Sequence, residues 1–291
     1  MGLTPSLTSL QLPEDYEDMF AFLDARYARK KDPWGLDHQV IKSALKIVWP
    51  LYKHYFQVRL FGAEKLRDEP YMVVANHTGQ IALDGVLLYC AFLTQLHPPR
   101  VLRPMVERFL ARLPFVGNTI AQGGAVLGDR QNCKRLIENG ESLMVFPEGA
   151  RGVAKSTHNY YQVQKFSKGF YRMALIHHTP IVPCAIIGCE EMYPYVYQSK
   201  DLARQLGLPA FPLSASFLLG PIGALPLPSP VDIILGDPIP PNPELDVDAP
   251  DKDIEADVAH IQGIVQDMVR EGLKHRRPFK ERLGLPDQRR V

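Results

Sequence analysis

Cysteine is scarce, with only Cys90, Cys133, Cys184 and Cys189 in a chain of 291 residues. None belongs to a CxxC pair, which excludes a disulfide framework and a zinc ribbon and suits a reducing compartment. Charge of a single sign is not in excess either: 33 Lys+Arg oppose 32 Asp+Glu, for a formal net charge of +1. A nucleic-acid partner recruited by bulk charge is excluded, and so is an acidic disordered scaffold. The first thirty residues carry Glu14, Asp15, Glu17 and Asp18 and lack a basic stretch leading into an apolar run, so no signal peptide is expected. An uninterrupted apolar span is missing as well. Gln205 to Val231 is uncharged, but Pro209, Pro212, Pro221, Pro226, Pro228 and Pro230 would strip a bilayer-crossing helix of its backbone donors. That segment either packs over the protein's own core or borders a lipid-binding groove.

What is present is 46% hydrophobic residues, enough to bury a large core. Helical spacing comes first. Met19, Phe20, Phe22, Leu23 and Tyr27 place one helix between about 15 and 30. Val40, Ala44, Val48, Tyr52 and Phe56 recur at fours on a second, with Lys42, Lys46 and Lys53 opposite. The second reads as a surface helix over a core, and its lysines and aromatics also suit an interfacial membrane anchor.

After Gly62, β-rich runs (Tyr71 to Ala75, Leu143 to Phe146, Ile181 to Ile187, Val231 to Leu235) alternate with helical stretches (Leu83 to Leu96, Arg130 to Asn139, Lys165 to His178). Alternation with unbroken apolar strands predicts an α/β fold: a mixed, largely parallel central sheet flanked by helices, with amphipathic helices at the N-terminus. Ile254, Val258, Ile261, Val265 and Met268 predict a docking helix capped by Asp251. The expected organisation is a helical region over 1–61 that suits a membrane interface, a domain over 62–275, and a basic tail over 276–291. From Arg270 to Val291 eight basic residues face three acidic ones, a charge suited to an anionic surface.

In open α/β sheets ligands gather beyond the carboxyl ends of strands. There the sequence places Asn76-His77 with Asp84 downstream, Gly128-Asp129-Arg130, and Pro147-Glu148-Gly149-Ala150-Arg151-Gly152. A carboxylate can fix one nitrogen of a histidine while the other takes a proton. Seven residues of continuous helix would separate His77 from Asp84 by about 10 Å, so the chain must turn back, and Gly79 permits it. Arg130 and Arg151 each follow a glycine-containing turn. Each is either a partner for Asp129 or Glu148, or half of a phosphate grip. No GxSxG elbow or phosphate-binding GxxxxGK[ST] loop occurs, and His177-His178 has no acidic partner at ligand spacing, so no metal is expected.

The run Val145-Phe146-Pro147-Glu148-Gly149-Ala150-Arg151-Gly152 resembles the Phe-Pro-Glu-Gly-Thr-Arg-Ser block of the glycerolipid acyltransferase family, which includes 1-acylglycerol-3-phosphate acyltransferases. Asn76-His77 with its downstream Asp resembles the family's catalytic block, Asp129-Arg130 its second, and Ile181-Val182-Pro183 its fourth. All stand in family order. Six residues separate His77 from Asp84, where the family has four, and Ala150 and Gly152 replace Thr and Ser. The resemblance implies that His77, oriented by Asp84, deprotonates the hydroxyl of a lysophospholipid-like acceptor such as 1-acylglycerol-3-phosphate. That hydroxyl attacks the thioester of acyl-CoA or an acyl carrier protein, with no further cofactor. It also implies substrate binding by Arg130, Glu148, Gly149 and Arg151, and a peripheral place on the cytoplasmic side of a membrane in phospholipid synthesis or remodelling. The alternatives are the same chemistry on a non-phosphate acceptor and a non-catalytic lipid-binding protein of the same fold.

Overall fold

The computed structural model describes residues 16–27, 32–78, 82–112, 116–193, 196–205 and 212–277. Its helices are α1 Tyr16–Tyr27, α2 His38–Pro50, α3 Leu83–Thr94, α4 Arg108–Arg112, α5 Val116–Gln122, α6 Arg130–Glu138, α7 Ala150–Val153, α8 Gly169–Ile176, α9 Lys200–Gln205 and α10 Asp251–Lys274. The strands are β1 Arg59–Phe61, β2 Met72–Ala75, β3 Leu102–Val106, β4 Val126–Leu127, β5 Ser142–Val145, β6 Ile181–Ile187, β7 Val196–Gln198, β8 Pro212–Ser214 and β9 Asp232–Leu235. Seven strands form one sheet in the order β1-β9-β6-β2-β5-β3-β4, and β7 pairs with β8 separately. Strands β2 to β6 run parallel, while β9 lies antiparallel to β6 and parallel to β1. The sheet starts at Arg59, before the boundary expected at residue 62.

Strand β2 explains the central layer. All four of its residues are fully buried, with Val73 and Ala75 in one core and Met72 and Val74 in the other. An alternating strand side can serve two cores only where both faces are covered, and burying each such Val or Met contributes about 1.5–3 kcal/mol. One core is closed by α1, α2 and α3, the other by α6, α8 and α10. The residues from 1 to 61 that are described therefore pack on the same core as the sheet.

Local differences from the sequence expectation have side-chain causes. On α2 the buried stripe is Ile41 and Leu45, continued by Tyr52 and Phe56 through the π-turn Leu51–Tyr55, so Ala44 stays exposed. Asp37 caps α2 by accepting from the Gln39 and Val40 N–H groups. Lys42 turns inward to pair with Glu17 and lies over the Tyr16 and Phe20 rings. On α10, Asp251 sits in the first turn rather than at the cap, because its carboxylate accepts from Arg172 Nη2 at 2.6 Å. Helix α8 begins at Gly169, not Lys165: Gln164 N–H donates to Glu148, Phe166 N–H to Gln262 and Ser167 N–H to the Pro147 carbonyl, which keeps that stretch extended. Of the expected basic tail, Arg276 bonds Glu191 and Ser229, and Arg277 bonds Asp232 and the Gln57 carbonyl. The remainder, and Gly79, lie outside the described residues.

Candidate active site

Strands β2, β5, β3 and β4 run parallel, so the segments that follow them reach one edge of the sheet. His77 follows β2 by two residues, and Asn76 fixes the strand end: its amide donates to the Ile186 carbonyl and accepts from the Ile186 N–H, at 3.0 and 2.8 Å. Helix α3 starts only at Leu83, so Asp84 lies in its first turn, where a carboxylate is favoured by the helix dipole. A helical side chain leans toward the N-terminus. Asp84 thereby reaches back, and its Oδ2 lies 2.7 Å from His77 Nδ1. The same oxygen accepts from the Thr78 N–H at 2.7 Å and Oδ1 accepts from the Gly85 N–H at 2.8 Å. The six-residue separation is accommodated because α3 begins only at Leu83.

The Asp84 carboxylate is fully buried, whereas the His77 side chain keeps 13% of its exposure. A carboxylate accepts, so Nδ1 carries the proton and Nε2 holds the lone pair. Among the described residues Nε2 makes no hydrogen bond. The ring stacks on Phe146 with centroids 4.3 Å apart, which fixes its plane. Burial and the nearby Asp84 charge push the Cys184 and Cys189 thiols up, so neither supplies a thiolate beside the pair. Among the described residues no three His, Cys, Asp or Glu side chains converge as a metal-ligand set.

The block after β5 packs directly under His77. Glu148 is buried; its Oε1 accepts from the His77 N–H at 2.7 Å and its Oε2 from the Gln164 N–H at 2.7 Å. Both of its oxygens are engaged by backbone N–H groups. Gly149 has φ 57° and ψ −146°, a region open to glycine, and a Cβ there would meet Glu107 Oε1 at 2.9 Å. Gly152 needs its missing side chain more acutely, since a Cβ would overlap the His77 Cβ and press on the Glu148 Cβ.

The two arginines are not equivalent. Arg151 is exposed, one residue from Gly152, with Nη2 donating to the Lys165 carbonyl at 2.8 Å. Arg130 opens α6, is 54% exposed, and pairs with Asp248 at 3.0 Å. Three strand positions of about 4.8 Å separate β4 from β2, so Arg130 stands about 14 Å along the edge from the His77 strand. Sequence reasoning missed Lys155 and Glu190, both buried beneath His77. Lys155 Nζ donates to the His77 carbonyl at 3.0 Å and pairs with Glu148 and Glu190 at 3.1 and 3.3 Å. Neither residue lies in a recognisable motif, and only the fold brings them together.

At the carboxyl edge of the parallel strands a buried carboxylate thus orients a largely buried histidine, with the turn carrying Gly149 and Gly152 packed against it. Residues 57–187 match the Acyltransferase family model. An uncharacterised protein of Mycobacterium tuberculosis is 40% identical over 215 residues, 72% of this chain and 59% of that protein. A Bos taurus protein named as a DGAT1/2-independent enzyme synthesizing storage lipids is 24% identical over 215 residues, 72% of this chain and 61% of that protein. The chain thus spans less than two thirds of the length of these relatives. The crystal structure of the 1-acyl-sn-glycerophosphate acyltransferase PlsC from Thermotoga maritima shares the fold, with a TM-score of 0.52 and 19% identity over 90% of this chain and 96% of that one. The chain belongs to the glycerolipid acyltransferase family.

Proposed function

We propose that the protein transfers a fatty acyl group from the thioester of acyl-CoA or acyl carrier protein to a hydroxyl of a lysophospholipid-like acceptor. The observation that carries this reading is the 2.7 Å contact between His77 Nδ1 and Asp84, which leaves Nε2 with its lone pair as the base. Nε2 takes the hydroxyl proton as the oxygen attacks the thioester carbonyl. Collapse of the tetrahedral intermediate breaks the C–S bond, and the imidazolium returns its proton to the departing thiolate. Asp84 holds the tautomer before the step and balances the imidazolium during it. A positioned base supplies about 10² to 10⁴ in rate, and the rest comes from placing two substrates together. The thioester is already activated, so the chain's own residues suffice.

A second reading keeps the chemistry and replaces the acceptor with a neutral alcohol such as a monoacylglycerol. The engagement of Arg130 by Asp248 and of Arg151 by a carbonyl favours it, and the bovine relative is named for storage lipids. Labelled acyl-CoA offered with lysophosphatidate, lysophosphatidylcholine and monoacylglycerol separates the two. For a phosphate acceptor, Arg151→Gln is expected to raise KM for lysophosphatidate about tenfold, the loss of one charge-assisted bond, while KM for acyl-CoA holds. Turnover confined to the neutral acceptor and indifferent to Arg151 would replace the first reading by the second.

The substrates are lipids, and one face suits a bilayer surface. Ile47, Leu51 and Tyr55 point outward on one side of α2 and the turn after it, with Ile47 73% exposed. The Tyr55 hydroxyl donates to the Pro226 carbonyl at 2.7 Å, bringing Leu225 and Leu227, 64% and 44% exposed, alongside. Exposed Lys46 and Lys53 flank this ridge, and each Lys near anionic lipid contributes about 1 kcal/mol. No helix among the described residues is long and apolar enough to cross a membrane. Co-sedimentation with phosphatidylglycerol vesicles is expected to fall at least tenfold in Ile47→Glu/Leu225→Glu, and equal binding of variant and parent would remove this face from the account.

A further inference from the structure

Three buried ionisable side chains cluster against the His77 backbone. The side chains of Lys155, Glu148 and Glu190 keep 2%, 0% and 1% of their exposure. Glu190 Oε2 accepts from the Tyr161 N–H at 2.5 Å, while its Oε1 faces Lys155 Nζ at 3.3 Å. Burial raises the Glu190 carboxyl to about 7 against the pull of Lys155. A cluster of this kind is expensive: desolvating charges costs several kcal/mol each, and apolar side chains of equal volume commonly give equal stability. Stability alone does not explain its location.

Geometry does. Both peptide groups flanking the His77 Cα end on this cluster, the N–H on Glu148 Oε1 at 2.7 Å and the carbonyl on Lys155 Nζ at 3.0 Å. Glu148 Oε2 closes the ring by pairing with Lys155 at 3.1 Å. The imidazole is thus fixed from three directions: by Asp84 at Nδ1, by Phe146 at its face, and by the Lys155–Glu148 pair at its backbone. Strand β2 ends at Ala75 and helix α3 begins only at Leu83, so no regular element holds the His77 peptide.

We propose that Lys155 is a positioning residue for His77, clamping its backbone jointly with Glu148 and held in place by Glu190. This rests on the reading of His77 as the base. Errors of about 1 Å in placing a reacting group cost about 10² in rate. Lys155→Met is expected to lower kcat about a hundredfold, with KM for acyl donor and acceptor changed less than threefold and with partial recovery in Lys155→Arg. The second readout needs no substrate: the proton NMR signal of His77 Nδ1–H, shared with Asp84, is expected to shift or broaden in Lys155→Met while the amide resonances of β2 and β6 keep their positions. Should Lys155→Met not fold, Lys155→Gln/Glu190→Gln removes opposite charges together and carries both readouts. A folded variant with parental kcat and an unmoved Nδ1–H signal would overturn the proposal. A protein without acyl transfer whose Nδ1–H signal still responds to Lys155 would instead sink the catalytic reading and leave the clamp standing.

Discussion

Alanine at position 77 is expected to lower kcat for acyl transfer by about 10² to 10⁴, the usual contribution of a positioned base, with little change in stability. The imidazole has a buried carboxylate on Nδ1 and keeps 13% of its side-chain exposure, which leaves Nε2 as the ring nitrogen able to take a proton. Its removal does not strand Asp84, which keeps the Thr78 and Gly85 N–H donors. The Glu148 and Lys155 contacts are made to backbone and survive the substitution as well. Loss of rate without loss of fold is therefore the expected pattern, checked by steady-state kinetics beside a thermal melt. Parental turnover in the alanine variant would remove the histidine from the chemistry.

Gly152→Ala is expected to do nearly as much damage from outside the reacting groups. The added methyl has no free space, because the two atoms it meets most closely are the Cβ atoms of His77 and Glu148, which cannot swing away as a side-chain tip can. Overpacking of this kind costs about 1–3 kcal/mol. The relief available is displacement of the His77 backbone or of the turn carrying Arg151. Either spoils placement, so kcat should fall by about 10², with the melting temperature lowered too. A variant with unchanged kcat and stability would mean that the turn does not press on the base.

Much of this was legible in the residues because the physics behind it is local. Unbroken apolar runs give β2 and β6, and alternating steps of four and three give α10, since burial on two faces or one leaves a periodic trace. Strand β3 leaves none: Arg103 and Pro104 interrupt it, and Arg103 is buried only because Asp32 and Glu141, distant in sequence, pair with it at 2.5 and 3.1 Å. The site divides the same way. His77 and Asp84 are seven positions apart, and a strand end and a helix start close in sequence are enough to join them. Glu148 looked like part of a phosphate pocket by resemblance, yet its buried carboxylate serves the His77 and Gln164 N–H groups. Lys155 and Glu190 meet through β6 and the loop after α7, a contact that no spacing rule encodes. Arg130 falls at the right sheet edge but three strands away, a displacement set by strand order rather than by sequence.

Direct transfer without a covalent acyl-protein is the central claim, and a single-turnover measurement tests it most directly. Protein in excess over radiolabelled acyl-CoA is mixed with or without acceptor, denatured at intervals, and separated into protein, lipid and thioester. With acceptor, label is expected to pass from thioester to lipid ester in one phase; without it, label is expected to stay in acyl-CoA, with none retained on denatured protein. Label that accumulates on the protein before reaching lipid would contradict the account.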